Sequence, residues 1–238
     1  MYMVIDAQVH AYEVGSPTGP TVPHPSIAEV SGDQMVSAMD RVGVDGAICV
    51  SPWSIYGSDT TYTESVYCAH PTRFRLVAPL DPYAPGVRAR LEGWAGVPGA
   101  VGVRILDLSH AGYGTSLNAD DPAVTGLVKQ STDAGLTVNV MCWGRLSLIA
   151  GLAGAFPDAQ FVLDHLGLTQ PPAPPAPDDV FGELPLVLAL AQYPNIAVKV
   201  SGACTYSHLP FPYEDLWGVH SRGFGLMVSL TASAWAFS

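Results

Sequence analysis

Short runs of apolar, often β-branched residues alternate with helix-like amphipathic stretches through the first two hundred positions. Seven such runs, at residues 3–5, 46–50, 76–80, 101–106, 137–141, 160–163 and 196–200, each have about the length of a strand. None alternates strictly between apolar and polar, which is the pattern of strands covered on both faces. Between them Met35, Val36, Met39 and Val42 recur at helical spacing, as do Val124, Leu127 and Val128. Ser31 or Asp33 is placed to cap the first helix, and Asp120 or Asp121 the second, with Pro122 in its first turn. Strand, helix and strand repeated in this way call for parallel pairing with right-handed crossovers, in an open sheet or a closed barrel. A nucleotide-binding open sheet carries a Gly-rich turn after its first strand. Here that strand runs into Asp6-Ala-Gln-Val-His10, polar side chains where a barrel keeps its chemistry. The expected fold class is α/β, a (β/α)8-type TIM barrel.

Composition narrows the partners. The 238 residues are 48% apolar and 13% charged, with a formal net charge of -11. An acidic chain without runs of Lys and Arg does not suit a nucleic-acid backbone, so a small-molecule substrate is expected and nucleic acid is not. No apolar segment reaches the roughly 20 residues a membrane span needs, and the N-terminus lacks the pattern of an export signal. A cytoplasmic location is expected; a homo-oligomer is left open. The four cysteines, Cys49, Cys68, Cys142 and Cys204, show no CxxC spacing and are read as buried and reduced. Residues 15–25, rich in Pro and Gly, and residues 171–177, rich in Pro, read as loops after the first and sixth strands.

Reacting groups in parallel barrels project from the C-terminal strand ends. Those ends offer Gln8 and His10, then Ser51, Trp53 and Tyr56, then Asp81, Arg104, and Asn139 with Trp143. Asp164 and His165 follow, then Lys199 and Ser201, with Tyr206 shortly after. An imidazole, with an ordinary pKa near ~6.5, accepts a proton from water at neutral pH, which makes His10 and His165 catalytic candidates alongside Asp164. A guanidinium in the apolar run around Arg104 needs an anion, either Asp81 or Asp107 or a substrate carboxylate or oxyanion. Lys199 fits a salt-bridged interior position or a substrate contact. Gln8, Trp53, Tyr56, Ser201 and Tyr206 complete the expected substrate-binding set. The histidines in loops and at helix ends, His24, His70, His110, His208 and His220, are each read as solvent-exposed.

Taken together, six segments resemble the amidohydrolase-related family over about residues 3–217. They are Val4-Ile-Asp-Ala-Gln-Val-His10, Tyr56-Gly-Ser-Asp-Thr-Thr-Tyr62, His70-Pro-Thr-Arg-Phe-Arg75, Gly102-Val-Arg104, Phe161-Val-Leu-Asp-His-Leu-Gly167 and Val198-Lys-Val-Ser-Gly202. The pattern is most similar to the branch of pyrone-dicarboxylate lactonases and sugar-lactone hydrolases. The resemblance implies hydrolysis of a C–O or C–N bond in a small, often carboxylated substrate.

Three departures shape the expectation. The family's first strand usually ends in His-x-His, but here the first member is Gln8, a poor zinc ligand. Metal-dependent relatives place a His at the end of the fifth strand, where this chain has Val138-Asn-Val-Met-Cys-Trp143. The family's eighth strand ends in an Asp, whereas no acidic residue follows Asp215 here. The barrel is therefore expected over residues 1–217, incomplete at the eighth strand. Residues 218–238 are a divergent tail, expected to pack poorly, in which residues 226–230 could stand in the eighth strand's place. The expected activity is hydrolysis of a lactone or other cyclic ester or amide without a cofactor, impaired by loss of that Asp. The alternatives are a metal-dependent decarboxylase or amide hydrolase using zinc or manganese, with His10 and His165 as ligands, and a non-catalytic remnant that binds small acids.

Overall fold

In the computed structural model, residues 3–13, 29–109, 116–170, 178–179 and 181–216 are described. The chain divides into two compact units, one of Met1–Ile105 with Asp133–Leu136, the other of Leu106–Thr132 with Thr137–Ser238. The tail at 218–238, the 171–177 loop, the 15–25 loop, and His24, His110 and His220 lie outside the described residues.

The first unit carries β1 (Ile5–Val9), α1 (Gly32–Val42), β2 (Gly46–Val50), α2 (Trp53–Tyr56), α3 (Thr61–Ala69), β3 (Phe74–Pro79), α4 (Val87–Ala95) and β4 (Ala100–Leu106), the last ending at the boundary. Its strands pair in parallel and in chain order, β1 with β2, β2 with β3 and β3 with β4. The second unit carries α5 (Pro122–Asp133), β5 (Thr137–Met141), α6 (Leu146–Ala155), β6 (Phe161–Leu163), α7 (Leu184–Ala189) and β7 (Ile196–Val198). There too β5, β6 and β7 pair in parallel and in order. Every residue of β2, β5 and β6 is buried, as expected of strands covered on both faces.

Local signals account for the helix ends. Ser31 and Gln34 form a reciprocal capping box at the start of α1. Gly43, with φ 73°, turns the chain out of its end, where a side chain would strain the left-handed backbone. Asp121 Oδ1 accepts from the Ala123 N–H at 2.8 Å and opens α5 in the same manner.

Two expectations are corrected here. The first strand is not residues 3–5 but Ile5–Val9, and Met3 and Val4 are exposed. Its pairing with β2 is irregular between Asp6 and Val9, where the Asp6 carboxylate accepts the Gln8 N–H at 2.9 Å. That side-chain bond replaces part of the ladder, so polar residues sit within the strand and hide it from a search for apolar runs. His70 is not solvent-exposed either: its Nε2 lies 2.6 Å from the Asp33 carboxylate, tying the end of α3 to α1. His208 is exposed as expected. Among the described residues no helix is long and apolar enough to cross a membrane.

Candidate active site

In the second unit, the chain leaving β6 enters an unusual turn. Asp164 is followed by His165, Leu166 and Gly167 with φ of 52°, 58° and 70°, three left-handed residues in succession. Such backbone costs on the order of 1–3 kcal/mol at each non-glycine position and persists only where its surroundings enforce it. Here they do. The Leu166 N–H donates to the Lys199 carbonyl at 2.9 Å, and the Gly144 N–H donates to the Gly167 carbonyl at 2.9 Å. The Tyr206 hydroxyl donates to the carbonyls of His165 and Leu168, at 3.0 and 3.3 Å.

The turn presents the His165 imidazole to the chain after β7. Nδ1 lies 3.2 Å from the Ser201 carbonyl and 3.0 Å from the Ser201 hydroxyl. A carbonyl can only accept, so Nδ1 carries the hydrogen and Nε2 is the basic nitrogen. The close approach depends on Gly202, where a methyl group would fall 2.2 Å from Gln170 Nε2 and 3.1 Å from His165 Nδ1. Beside the turn, Lys199 Nζ and the Asp164 carboxylate form an ion pair at 3.0 Å, their side chains 2% and 0% exposed.

A second ion pair was not anticipated. Arg145, just before α6, bonds the fully buried Asp107 carboxylate as well as the Ser116 hydroxyl and the Leu117 carbonyl. Asp107 also accepts from the Ser109 hydroxyl at 2.6 Å, from its N–H at 3.2 Å and from the Leu117 N–H at 3.0 Å. One carboxylate thus anchors the chain at both Ser109 and Leu117. A strand-end aspartate is a usable signal, but its partner lies 38 residues away in sequence. Between the two ion pairs sits Cys142, whose thiol is pushed up to about 12 by burial and by Asp107 and Asp164.

In the first unit, His10 Nδ1 donates to the Val50 carbonyl at 2.7 Å, and the Gln8 amide nitrogen lies 3.5 Å from its Nε2. His10 is therefore held in the same tautomer as His165, with the Gln8 amide turned towards its basic nitrogen. Tyr56 is buried in α2, its hydroxyl accepting the Glu13 N–H at 2.8 Å and its ring 6.0 Å from Tyr62. Trp53, which opens α2, is half-buried, and the Ser51 hydroxyl donates to the Asp59 carbonyl at 2.9 Å. Arg104 is buried within β4 at 4% exposure. Asp81 is exposed and accepts the Tyr83 N–H.

Of the expected site residues, the structure assembles Asp164, His165, Lys199, Ser201 and Tyr206 in the second unit, and pairs Gln8 with His10 in the first. Of the two readings of Lys199, the ion pair with Asp164 is the one seen, since an ammonium this deeply enclosed requires a carboxylate. Tyr206, 1% exposed, clamps the His165 turn, and burial raises its hydroxyl above the ordinary value.

The cysteine expectation holds for two of the four. Cys49 and Cys142 are buried, whereas Cys68 on the outer side of α3 and Cys204 in the turn after β7 are exposed. Thiol titration of the native protein at pH 8 is expected to reach two groups, and four after denaturation. Burial pushes Cys49 up to about 11. For both buried thiols the neutral form favours the fold. That contribution is complete below the ordinary value of 9.0 and is lost as pH rises towards about 11 and about 12. Rapid reaction of all four thiols in the folded protein would contradict this placement.

Zinc takes imidazole, thiolate and carboxylate ligands. Gln8 supplies a neutral amide, the Asp164 carboxylate is neutralised by Lys199, and among the described residues no three His, Cys, Asp or Glu side chains gather into a metal-holding group.

The sequence matches the amidohydrolase family over residues 5–223. A probable 2-pyrone-4,6-dicarboxylic acid hydrolase from Acinetobacter baumannii, solved with citric acid bound, is similar at a TM-score of 0.72 and 16% identity, over 94% of this chain and 78% of that one. A putative 2-pyrone-4,6-dicarboxylic acid hydrolase from Pseudomonas putida is similar at 0.70 and 20% identity, over 96% and 78%. A dihydroxybenzoic acid decarboxylase from Polaromonas, with bound manganese and the inhibitor 2-nitroresorcinol, gives 0.52 and 14%, over 94% and 96%. No curated protein matches the sequence. At these identities the solved structures establish the fold, an α/β chain of the TIM-barrel type, as the strand pattern predicted.

Proposed function

The chain belongs to the amidohydrolase family and is an enzyme of that superfamily, and on that premise we propose that it hydrolyses the ester bond of a small carboxylated lactone. The observation that carries this reading is the left-handed His165 turn. Strained backbone, two inter-segment hydrogen bonds and a buried tyrosine clamp are spent on presenting one imidazole whose Nδ1 is anchored and whose Nε2 is basic. An imidazole fixed in this way suits orientation of water against an acyl carbon. The two pyrone-dicarboxylic acid hydrolases among the similar structures act, by their names, on a lactone bearing two carboxylates. In this reading His165 orients water against the scissile carbonyl with Ser201 placing its ring, and Asp164 sets the field beside it while held by Lys199.

The reading is metal-independent and rests on the donor set. A metal-dependent decarboxylase is the second reading, favoured by the manganese in the Polaromonas relative and by the shared Nε2-basic tautomer of His10 and His165. A protein that binds small acids without turning them over is the third, favoured by the enclosure of the Asp164 carboxylate in its ion pair with Lys199.

A panel of carboxylated lactones and dihydroxybenzoates, assayed with metal analysis of the purified protein, separates the three. Ring opening of a lactone that survives chelation is expected. Stoichiometric zinc or manganese, with activity that chelation abolishes, would move the chain to the second reading. A folded protein that binds lactone acids and turns none over would move it to the third.

A further inference from the structure

The second unit holds a carboxylate that nothing described so far employs. Of its described acidic residues, Asp107, Asp121, Asp164 and Glu183 are withdrawn from bulk solvent. Arg145 holds Asp107, Lys199 holds Asp164, and the Ala123 N–H bonds Asp121. The side-chain carboxylate of Glu183, half-buried immediately before α7, receives no hydrogen bond and no cation from any described residue, while its backbone carbonyl accepts the Leu186 and Val187 N–H groups.

Its seat is specific. Both carboxylate oxygens face Gly144, where a methyl group would fall 2.3 Å from Oε1 and 2.7 Å from Oε2. Gly144 has φ 78° and, through its N–H, holds Gly167 at the end of the His165 turn. The negative charge of Glu183 is also felt at the Tyr206 hydroxyl, which clamps that turn. Next to Gly144 comes a complementary observation. Trp143 has left-handed backbone at φ 31°, and its indole N–H is shielded from solvent with no acceptor among the described residues. A buried donor left unmatched costs about 1–3 kcal/mol, and such groups concentrate where a ligand or a reaction supplies the partner. A carboxylate without a donor thus faces Gly144, and a donor without an acceptor belongs to the residue before it, on the segment that holds the His165 turn.

We propose that Glu183 is the proton-accepting carboxylate of this active site. The proposal rests on the hydrolase reading and gives it a carboxylate to accept the proton of the water that His165 orients. Glu183 takes a proton from water as the oxygen adds to the lactone's acyl carbon. The tetrahedral adduct then collapses by breaking the bond between the acyl carbon and the ring oxygen. The proton passes from Glu183 to that departing oxygen, leaving a ring-opened hydroxy acid and the carboxylate as it began. Water and lactone are consumed one for one.

Glu183→Gln keeps the shape and removes the base. It is expected to lower kcat on the turned-over lactone by about 10²–10⁴-fold while KM changes little, and to remove the acidic limb of the pH–kcat profile. Glu183→Asp, with a shorter reach, should recover part of the rate, and Gly144→Ala should resemble Glu183→Gln by displacing the carboxylate. Thermal melts of each variant report folding. A second measurement needs no turnover: isophthalate, a planar dicarboxylate without an ester, is titrated calorimetrically in mildly acidic buffers of different ionisation enthalpy. An anion bound next to Glu183 raises its proton affinity, so binding should be accompanied by proton uptake in the native protein and not in Glu183→Gln. A folded Glu183→Gln variant with native kcat, or with native proton uptake, overturns the assignment of Glu183 while leaving the hydrolase reading intact. Neither turnover of any lactone nor binding of isophthalate by the native protein overturns that reading and the assignment with it.

Discussion

Replacing Lys199 with methionine is expected to lower stability by about 3–5 kcal/mol, visible as a fall in Tm of roughly 6–20 °C for a chain of this size. The reason is asymmetric. Lys199 and Asp164 are both enclosed, and their charges offset each other across 3.0 Å. Methionine fills much of the lysine's volume but leaves the Asp164 carboxylate without its ammonium, in surroundings that solvate a lone charge poorly. The same change reaches the site, because the Lys199 carbonyl receives the Leu166 N–H that holds the His165 turn. Pairing the change with Asp164→Leu removes both charges together and should restore most of the loss, since an apolar pair of similar volume is often as stable as a buried ion pair. Equilibrium unfolding of the two single variants and the double variant gives the coupling directly. A single Lys199→Met variant within about 0.5 kcal/mol of the native protein would show that the pair is hydrated.

His165→Gln should reduce kcat by about 10²–10⁴-fold with the fold retained. Glutamine can still place a polar group near Ser201, but an amide does not take up a proton at neutral pH, so the basic Nε2 is lost. The left-handed backbone at position 165 is held by contacts to its own carbonyl and to Leu166 and Gly167, none of which involve the imidazole. Stability is therefore expected to change little, which separates this variant from Lys199→Met. Ser201→Ala tests the positioning of the ring. One of the two oxygens on Nδ1 is lost while the carbonyl remains, and the rate should fall by less than in His165→Gln. A His165→Gln variant with native turnover would remove His165 from the reaction.

These two residues also show where sequence reading succeeds. β2 and β5 run over residues 46–50 and 137–141, matching the apolar stretches residue for residue, because strands enclosed on both faces contain almost nothing else. His165 and Lys199 were legible as polar side chains breaking out of such runs at their C-terminal ends. β1 was misplaced because Asp6 and Gln8 lie inside it, tied by a side-chain bond that no periodicity records. α6 gave no helical signature, since Leu-Ser-Leu-Ile-Ala-Gly-Leu-Ala is apolar on nearly every side. Arg145 and Glu183 were missed for another reason. Their importance lies in what the fold brings to them, Asp107 from 38 residues upstream and the bare backbone of Gly144, and neither neighbour is written in the local sequence. The lysine's role was left open between two readings because a strand position fixes the side on which a residue lies but not what it meets there.

The Asp107 carboxylate gathers the chain at Ser109 and again at Leu117, with Arg145 locking the knot from the far side. One acidic and one basic side chain, 38 positions apart in sequence, therefore behave as a single inherited unit. A change at either would release several backbone anchors together, so descendants of this sequence are expected to keep both or to alter both at once.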